Sequence, residues 1–418
     1  MPRIQLRQPA YAILIALLLG LQLMQPSRAW MILLVVFTGI FISAYLWTRS
    51  LGESVYVRRE THIGWIQVGG QIEERITLSN TSLFPAPWVE FRDQSTLPDF
   101  NVSKITGIPA GYFDIYTVAA TCNQRGLFTL GPANILTGDP FGIFDITIPA
   151  SQLTSILVLP QIATLPEIMI APSGSYGDGQ PRRNAAEQMI HASTVREYAH
   201  GDGMRMIHWP TTARMNKVFV RMMESAPEGN WWILLDLDQN NMFGTGADSI
   251  EEQSITLAAT FADRGLRSRK SVGLIGNSEE LTWLTPKKGD GQRWEIMQAL
   301  AIAKPGRLDL STVLERIQTS LGRQHSLIII TTSTKLDWLK TLLPLTKKGI
   351  IPTIILLDAS TYGGQVSAEN FAANLELRGI KYHVIPHGMI KIPKLSAQSH
   401  SNWKWHSSST GEIIPIRS

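Results

Sequence analysis

A chain of 418 residues is too long for one ordinary domain, and a single cysteine excludes both an intrachain disulfide framework and a cysteine-built zinc site. The formal charge of +4 reflects 38 basic and 34 acidic residues, but Arg3, Arg7, Arg28 and Arg49 stand in the first fifty with no acid among them, and 38 − 4 leaves 34 against 34. The basic balance is a membrane-topology signal, which argues against a nucleic-acid partner.

Trp30 to Trp47 is an uncharged apolar run of eighteen residues, long enough to cross a hydrocarbon core of ~30 Å. Trp30, Tyr45 and Trp47 stand where interfacial aromatics belong. The earlier run, Ala10 to Met24, is shorter and carries Gln22. It reads as the first arm of a helical hairpin turning at Gln25-Pro26-Ser27. It also reads as the apolar core of a signal peptide, with Arg3 and Arg7 before it and Ser27-x-Ala29 as the cleavage site. A second spanning run follows at once, which favours the hairpin. Residues 1–52 are therefore expected to anchor the chain in a lipid bilayer by two transmembrane helices. With Arg3 and Arg7 inside, two passes return the chain to the cytoplasm, where Arg49, Arg58 and Arg59 lie.

Residues 53–160 read as an antiparallel β-sandwich. Short runs rich in Val, Ile, Thr and aromatics (Gln71–Leu78, Trp88–Phe91, Tyr112–Ala120, Leu127–Leu130, Ile156–Leu159) alternate with Asn, Pro and Gly turns, and no helix-period segment interrupts them. Residues 161–228 begin as a linker, whose Gly, Ser and Pro content from Pro172 to Arg183 suits a mobile surface segment. From 229 to 395 the pattern becomes strands alternating with helices. Apolar strands are expected at Trp231–Leu235, Ser271–Ile275, Ser326–Ile330, Ile351–Leu357 and Lys381–Ile385. Helix periods fall at Ile250–Arg264, Gln292–Ala303, Leu310–Leu321 and Thr334–Thr346. Buried strands separated by amphipathic helices predict a mostly parallel, α/β doubly wound sheet. A polar tail, 396–418, carries Trp403 and Trp405.

Two stretches hold the chemistry. Between Thr194 and Glu224 lie Arg196, Arg205, Arg214 and Arg221 beside Glu197, Asp202 and Glu224, with Tyr198, His208 and Trp209 between them. The second is the strand that follows, Trp231 to Leu235, which ends in Asp236, Asp238 and Asn240. The motif R-E-Y-x-x-G-D-x-x-R-x-I-H-W-x-x-T-A-R runs from Arg196 through Gly201, Asp202 and His208 to Ala213 and Arg214. Followed by an L-L-D-x-D strand, it resembles the bacterial domain-of-unknown-function fifty-eight family. That family is considered alongside MoxR-type AAA+ ATPases, and its L-L-D strand opens a von Willebrand A-like domain. The resemblance implies a MoxR-type AAA+ ATPase among the protein partners. With the apolar runs and the arginine placement, a bacterial chain of this kind is expected to be multi-pass in the bacterial inner (cytoplasmic) membrane, with the soluble domains in the cytoplasm.

The resemblance further implies a site. Von Willebrand A domains hold a metal with Asp-x-Ser-x-Ser at this strand end, and here the matching positions are Asp236, Asp238 and Asn240. Where an Asp is usual after the third apolar strand, the chain has Thr331, Thr332 and Ser333. Asp236, Asp238, Asn240 and Thr332 are thus candidate oxygen ligands for weakly bound Mg or Ca. The competing reading is that Asp236 caps a loop or helix. The arginine block likewise has two readings. It forms ion-paired braces between the domains (Arg196–Glu197, Asp202–Arg205, Arg221–Glu224), with Tyr198 and Trp209 packed in the joint and His208 hydrogen-bonded, or it is a surface that grips a partner. No phosphate-binding loop, H-E-x-x-H or strand-fed G-x-S-x-G occurs. The expectation is a scaffold that binds other proteins, with a metal-dependent adhesion module and a hydrolase of unrecognised type as alternatives.

Overall fold

The computed structural model describes residues 2–61, 64–166, 168–171, 192–199, 207–215, 217–223, 230–321, 325–348, 350, 352–391, 403–407 and 413–417; for 192–196, 221–223, 403–407 and 413–417 it describes the backbone. The chain divides into two units, one built on residues up to Gln161 and the other on residues from Ile162.

The first unit starts with strand β1 (Arg3–Leu6) and two helices, α1 (Pro9–Met24) and α2 (Arg28–Ser54). The turn falls at residues 25–27, where the Ser27 hydroxyl accepts from the Trp30 N–H at 3.2 Å and caps α2. Among the described residues, α2 is the one helix long and apolar enough to cross a membrane, and α1 is shorter. Ten strands follow: β2 (Val55–Thr61), β3 (Trp65–Gln67), β4 (Gln71–Asn80), β5 (Ala86–Asp93), β6 (Lys104–Ile108), β7 (Phe113–Thr121), β8 (Gly126–Leu130), β9 (Ala133–Gly138), β10 (Phe144–Ala150) and β11 (Thr154–Leu159). They form three sheets, ordered β1-β10-β9-β5-β6, β3-β11-β8 and β2-β4-β7. Their inward faces meet in one core around Ile72, Ile76, Leu78, Phe91, Ile135 and Val158, to which α2 adds Leu51.

Strand β4 shows the logic. Its side chains alternate, so Ile72, Ile76, Leu78 and Asn80 face inward, and the same period turns Glu74 inward as well. A carboxylate there needs a partner. The inward residue of β2 supplies it: Arg59 donates from Nε and Nη2 to the two Glu74 oxygens at 2.8 and 2.7 Å, and from Nη1 to Asp93 at 2.6 Å. These pairings raise the Arg59 pKa against the desolvation that opposes them.

The second unit carries a hairpin of β12 (Ala192–Glu197) and β13 (Phe219–Met223) with helix α3 (Trp209–Met215) between its strands. Then come β14 (Asn230–Leu235), α4 (Ile250–Arg267), β15 (Val272–Asn277), β16 (Leu281–Lys287), α5 (Asp290–Ile302), α6 (Leu310–Ile317), β17 (His325–Thr331), α7 (Asp337–Lys347), β18 (Pro352–Leu357), α8 (Glu369–Leu377) and β19 (Lys381–Ile385). The tail contains an antiparallel pair, β20 (Trp403–Ser407) and β21 (Ile413–Arg417). The six-stranded sheet runs β16-β15-β14-β17-β18-β19. Counted along the chain this is the order 3-2-1-4-5-6 of a doubly wound sheet, reversing between β14 and β17. All neighbours are parallel except β15 and β16. The antiparallel edge strand β16 was not expected from the sequence. It is half-exposed, and the pairing register shifts where it carries Pro286, as Pro on an edge allows.

Ala163 and Ala171, in a stretch whose composition reads as a loose join, are held against this unit. Ala163 N–H donates to Thr260 Oγ1 at 2.9 Å, Ala171 N–H to Thr353 Oγ1 at 3.0 Å, and Ser326 Oγ to Ala171 O at 3.0 Å. The physical reason is that Thr260, Thr353 and Ser326 are buried, and buried hydroxyls seek partners. The rest of the expected mobile segment, 172–191, lies outside the described residues.

Candidate functional site

The reversal in strand order opens at the carboxyl ends of β14 and β17, the usual place for a ligand in such sheets. Strand β14 is apolar and buried from Trp231 onward, so its next residue, Asp236, emerges between the ends of β15 and β17 with 1 % of its surface exposed. One Asp236 oxygen accepts from Asn277 Nδ2 at 2.7 Å and the Asp238 N–H at 3.2 Å, and the other from Thr331 Oγ1 at 2.6 Å. Burial pushes the Asp236 carboxyl above its ordinary value, and the hydrogen bonds from Thr331, Asn277 and Asp238 only partly oppose it. Asn277 also donates to Leu308 O at 2.9 Å and accepts from the Leu237 N–H. Gly306 lies so close to the carbonyls of Ser278 and Asn277 that no side chain fits.

Asp238, 4 % exposed, is spent locally. One oxygen accepts from the Asn240 N–H at 3.1 Å and Asn240 Nδ2 at 2.9 Å, and the other from Asn241 Nδ2 at 3.2 Å. It caps the short turn Gln239–Asn241. Thr332 Oγ1 donates to Asn241 O at 3.1 Å. The four candidate ligands therefore do gather in one loop cluster, but the oxygens of Asp236, Asp238 and Thr332 are engaged with protein donors and acceptors. A divalent cation needs about six oxygens, and here each carboxylate oxygen already accepts from Asn277, Thr331, Asn240 or Asn241. The residues as arranged do not fit a metal. Among the described residues no group of three or more His, Cys, Asp or Glu is placed to hold one. Sequence reasoning missed Asn277 and Thr331 as Asp236's partners; the signal was an amide and a hydroxyl ending the two strands that flank β14.

The arginine block folds as the β12–β13 hairpin around α3, with Val195 opposite Arg221 and Arg196 opposite Val220. The side chains of Arg196 and Arg221 and all of Gly201, Asp202, Arg205 and Glu224 lie outside what is described, and with them the three expected braces. Glu197 is ion-paired with Lys217 at 2.9 Å, both exposed. Tyr198 N–H donates to Val218 O at 2.8 Å, which closes the hairpin. His208 is half-buried; its Nδ1 lies 2.8 Å from Thr211 Oγ1 and accepts from the Thr211 N–H at 3.3 Å, so it caps α3. Trp209 is 67 % exposed, Met215 63 % and Val218 41 %, and Ala213 and Arg214 are exposed as well. A helix of seven residues cannot turn every side chain onto its hairpin, and the indole is on the outer face.

Residues 194–361 match the family described as "Protein of unknown function DUF58". The chain is 25 % identical over 170 residues to uncharacterized proteins of Mycobacterium tuberculosis and Mycobacterium bovis, covering 39 % of this chain and 53 % of theirs. It thus spans about half the length of the curated relatives it matches. Among solved structures, an aerotolerance-related membrane protein from Bacteroides fragilis is 17 % identical over 45 % of this chain and 81 % of its own, with a TM-score of 0.22. The CARDB domain of a Pyrococcus furiosus protein, solved with di-metal ions, is 12 % identical over 25 % of this chain and 94 % of its own, with a TM-score of 0.19. Likenesses of that size carry no argument about fold or function.

Proposed function

We propose that this chain, similar over residues 194–361 to the DUF58 family, is a membrane-anchored scaffold whose soluble units face the cytoplasm and bind other proteins. Helix α2 is the anchor that length and composition support. The sheet order 3-2-1-4-5-6 with its antiparallel edge supports reading the second unit as von Willebrand A-like. The observation that carries the binding role is Trp209, exposed on α3 with Arg214 and Met215, and followed by exposed Val218, within the family-matched block. Exposed Trp and Arg are the residue types that dominate protein interfaces. We read the role as binding; Asp236, a carboxyl whose pKa burial raises, is only 1 % exposed. The partner we propose for this face is a MoxR-type AAA+ ATPase.

The test measures binding of the purified full chain, held in nanodiscs, to a purified MoxR-type ATPase. Trp209→Ala should weaken capture by at least about tenfold, the cost of a lost hot spot, and leave the melting temperature unchanged. Undiminished capture by that variant would remove Trp209 from the interface, and no binding by the unaltered chain would remove the ATPase.

A further inference from the structure

The loop between β4 and β5, Thr81-Ser82-Leu83-Phe84-Pro85, does not behave like a solvent loop. Leu83 is 90 % exposed at its tip, and Phe84 stacks on Trp47 of α2 with ring centroids 4.7 Å apart. Trp47 Nε1 donates to Pro85 O at 3.0 Å. From Ser79 to Pro87 no residue is charged. The loop is held rigidly in this pose. The two Nδ2 hydrogens of buried Asn80 are shared among Phe84 O, Ile108 O and Pro109 O at 3.0, 3.2 and 3.2 Å, its Oδ1 accepts from the Ser82 N–H at 3.1 Å, and Thr81 is bonded twice to Ser54 O at the end of α2. A protein that fixes an apolar tip outward this firmly has a use for it.

The helix tells what covers it. Ala29 to Thr48 is the uncharged part of α2, twenty residues between Arg28 and Arg49, or ~30 Å of helix, the thickness of a hydrocarbon core. Trp47 therefore stands at the boundary, where an indole N–H normally reaches for headgroups or water. Here the loop backbone supplies that acceptor, so the loop shares Trp47's depth. Phe144 of β10 meets the same helix at Phe41, 5.0 Å away, and Tyr45, 5.8 Å away.

We propose that the Thr81–Pro85 loop inserts Leu83 and Phe84 into the headgroup–acyl boundary of the bilayer beside α2, docking the β-stranded unit onto the membrane surface. The inference rests on the reading that α2 crosses the membrane. Lipid is the occupant because the patch is continuous with the apolar surface of that helix.

The test uses the full chain in liposomes with single cysteines at Leu83→Cys, Gln71→Cys and Ile42→Cys, each carrying a polarity-sensitive fluorophore. Gln71 is exposed at the far end of β4 from Asn80, ~30 Å away along the strand. The native Cys122 is fully buried and its thiol pushed up by burial, so it stays unlabelled. A nitroxide lipid labelled near the headgroup should quench position 83 severalfold more than position 71, and aqueous iodide should do the reverse; apolar faces at this boundary lie ~5–10 Å deep. If position 42 is quenched by lipid and position 83 responds like position 71, the loop proposal fails and the anchor stands. If position 42 is not quenched either, the anchor fails and the proposal with it. Protection of position 83 from iodide without lipid quenching, together with disulfide-linked dimers of the Leu83→Cys chain, would assign the patch to a second copy and overturn the lipid.

Discussion

Asp236 and Arg59 show two ways of burying a charge, and they predict opposite outcomes. Arg59 is matched by Glu74 and Asp93, with side chains 2, 0 and 3 % exposed. Removing the cation leaves two carboxylates buried without it, so Arg59→Ala should lower stability by about 3–5 kcal/mol, read as a drop in the unfolding midpoint of the full chain. Asp236 has only neutral partners. Its pKa is raised in the folded state, so its contribution is fully present below the ordinary carboxylate pKa of about 3.9 and is lost as pH rises through the folded value. Asp236→Asn keeps an acceptor for Asn277 and Asp238 and gains a donor for Thr331 Oγ1. It should melt no lower than the unaltered chain at neutral pH, with the difference closing in acid. Adding Mg²⁺ or Ca²⁺, or removing them with EDTA, should leave both midpoints in place; a midpoint raised by Mg²⁺ and insensitive to it in Asp236→Asn would restore the metal reading. The sequence displayed Asp236 at a strand end because the apolar run before it is unbroken. It could not display the partners, which lie 41 and 95 positions away.

At the scale of elements, legibility followed burial. Strands β14, β17 and β18 are apolar runs covered on both faces, and α4 announces itself with Ser249 capping Glu252 and arginines in its last turn, so each was readable locally. Two edge strands were not. β16 is only half-buried and contains proline. β1 reads as the charged lead-in to an apolar run, yet it pairs with β10 from Arg3 opposite Thr147 to Leu6 opposite Phe144. Such pairing gives the first residues a structural task that a cleaved leader would not have. Mass spectrometry of the purified chain should therefore find residues 3–6 retained. Deleting them should speed amide exchange in Phe144–Thr147, which would lose its neighbour strand; unchanged protection there would show that β1 contributes nothing to the sheet.

For the whole molecule, that same strand constrains how the chain meets a membrane. β1 precedes α1, β2 follows α2, and both belong to the first unit. A single crossing would put them on opposite faces, which the β1–β10 ladder forbids. If α2 spans the bilayer, α1 must return through it. Sixteen residues make α1 ~24 Å long, short of the ~30 Å core, a mismatch that local thinning and reach by Arg7 can absorb. Arg7 is already drawn toward this face by Asp145, 3.6 Å away. With Arg3 and Arg7 before the two helices and Arg49 and Arg58 after them, the proposed hairpin carries positive charge on both flanks, the pattern on which the proposed cytoplasmic orientation rests. A reporter before Arg3 and another after Leu159 should thus report the same compartment, and protease should reach the soluble units in inverted vesicles while intact spheroplasts protect them. Reporters on opposite sides would break the β1–β10 pairing in the membrane-bound chain. Both outside would keep the hairpin and reverse the arginine reading, and with it the cytoplasmic partner.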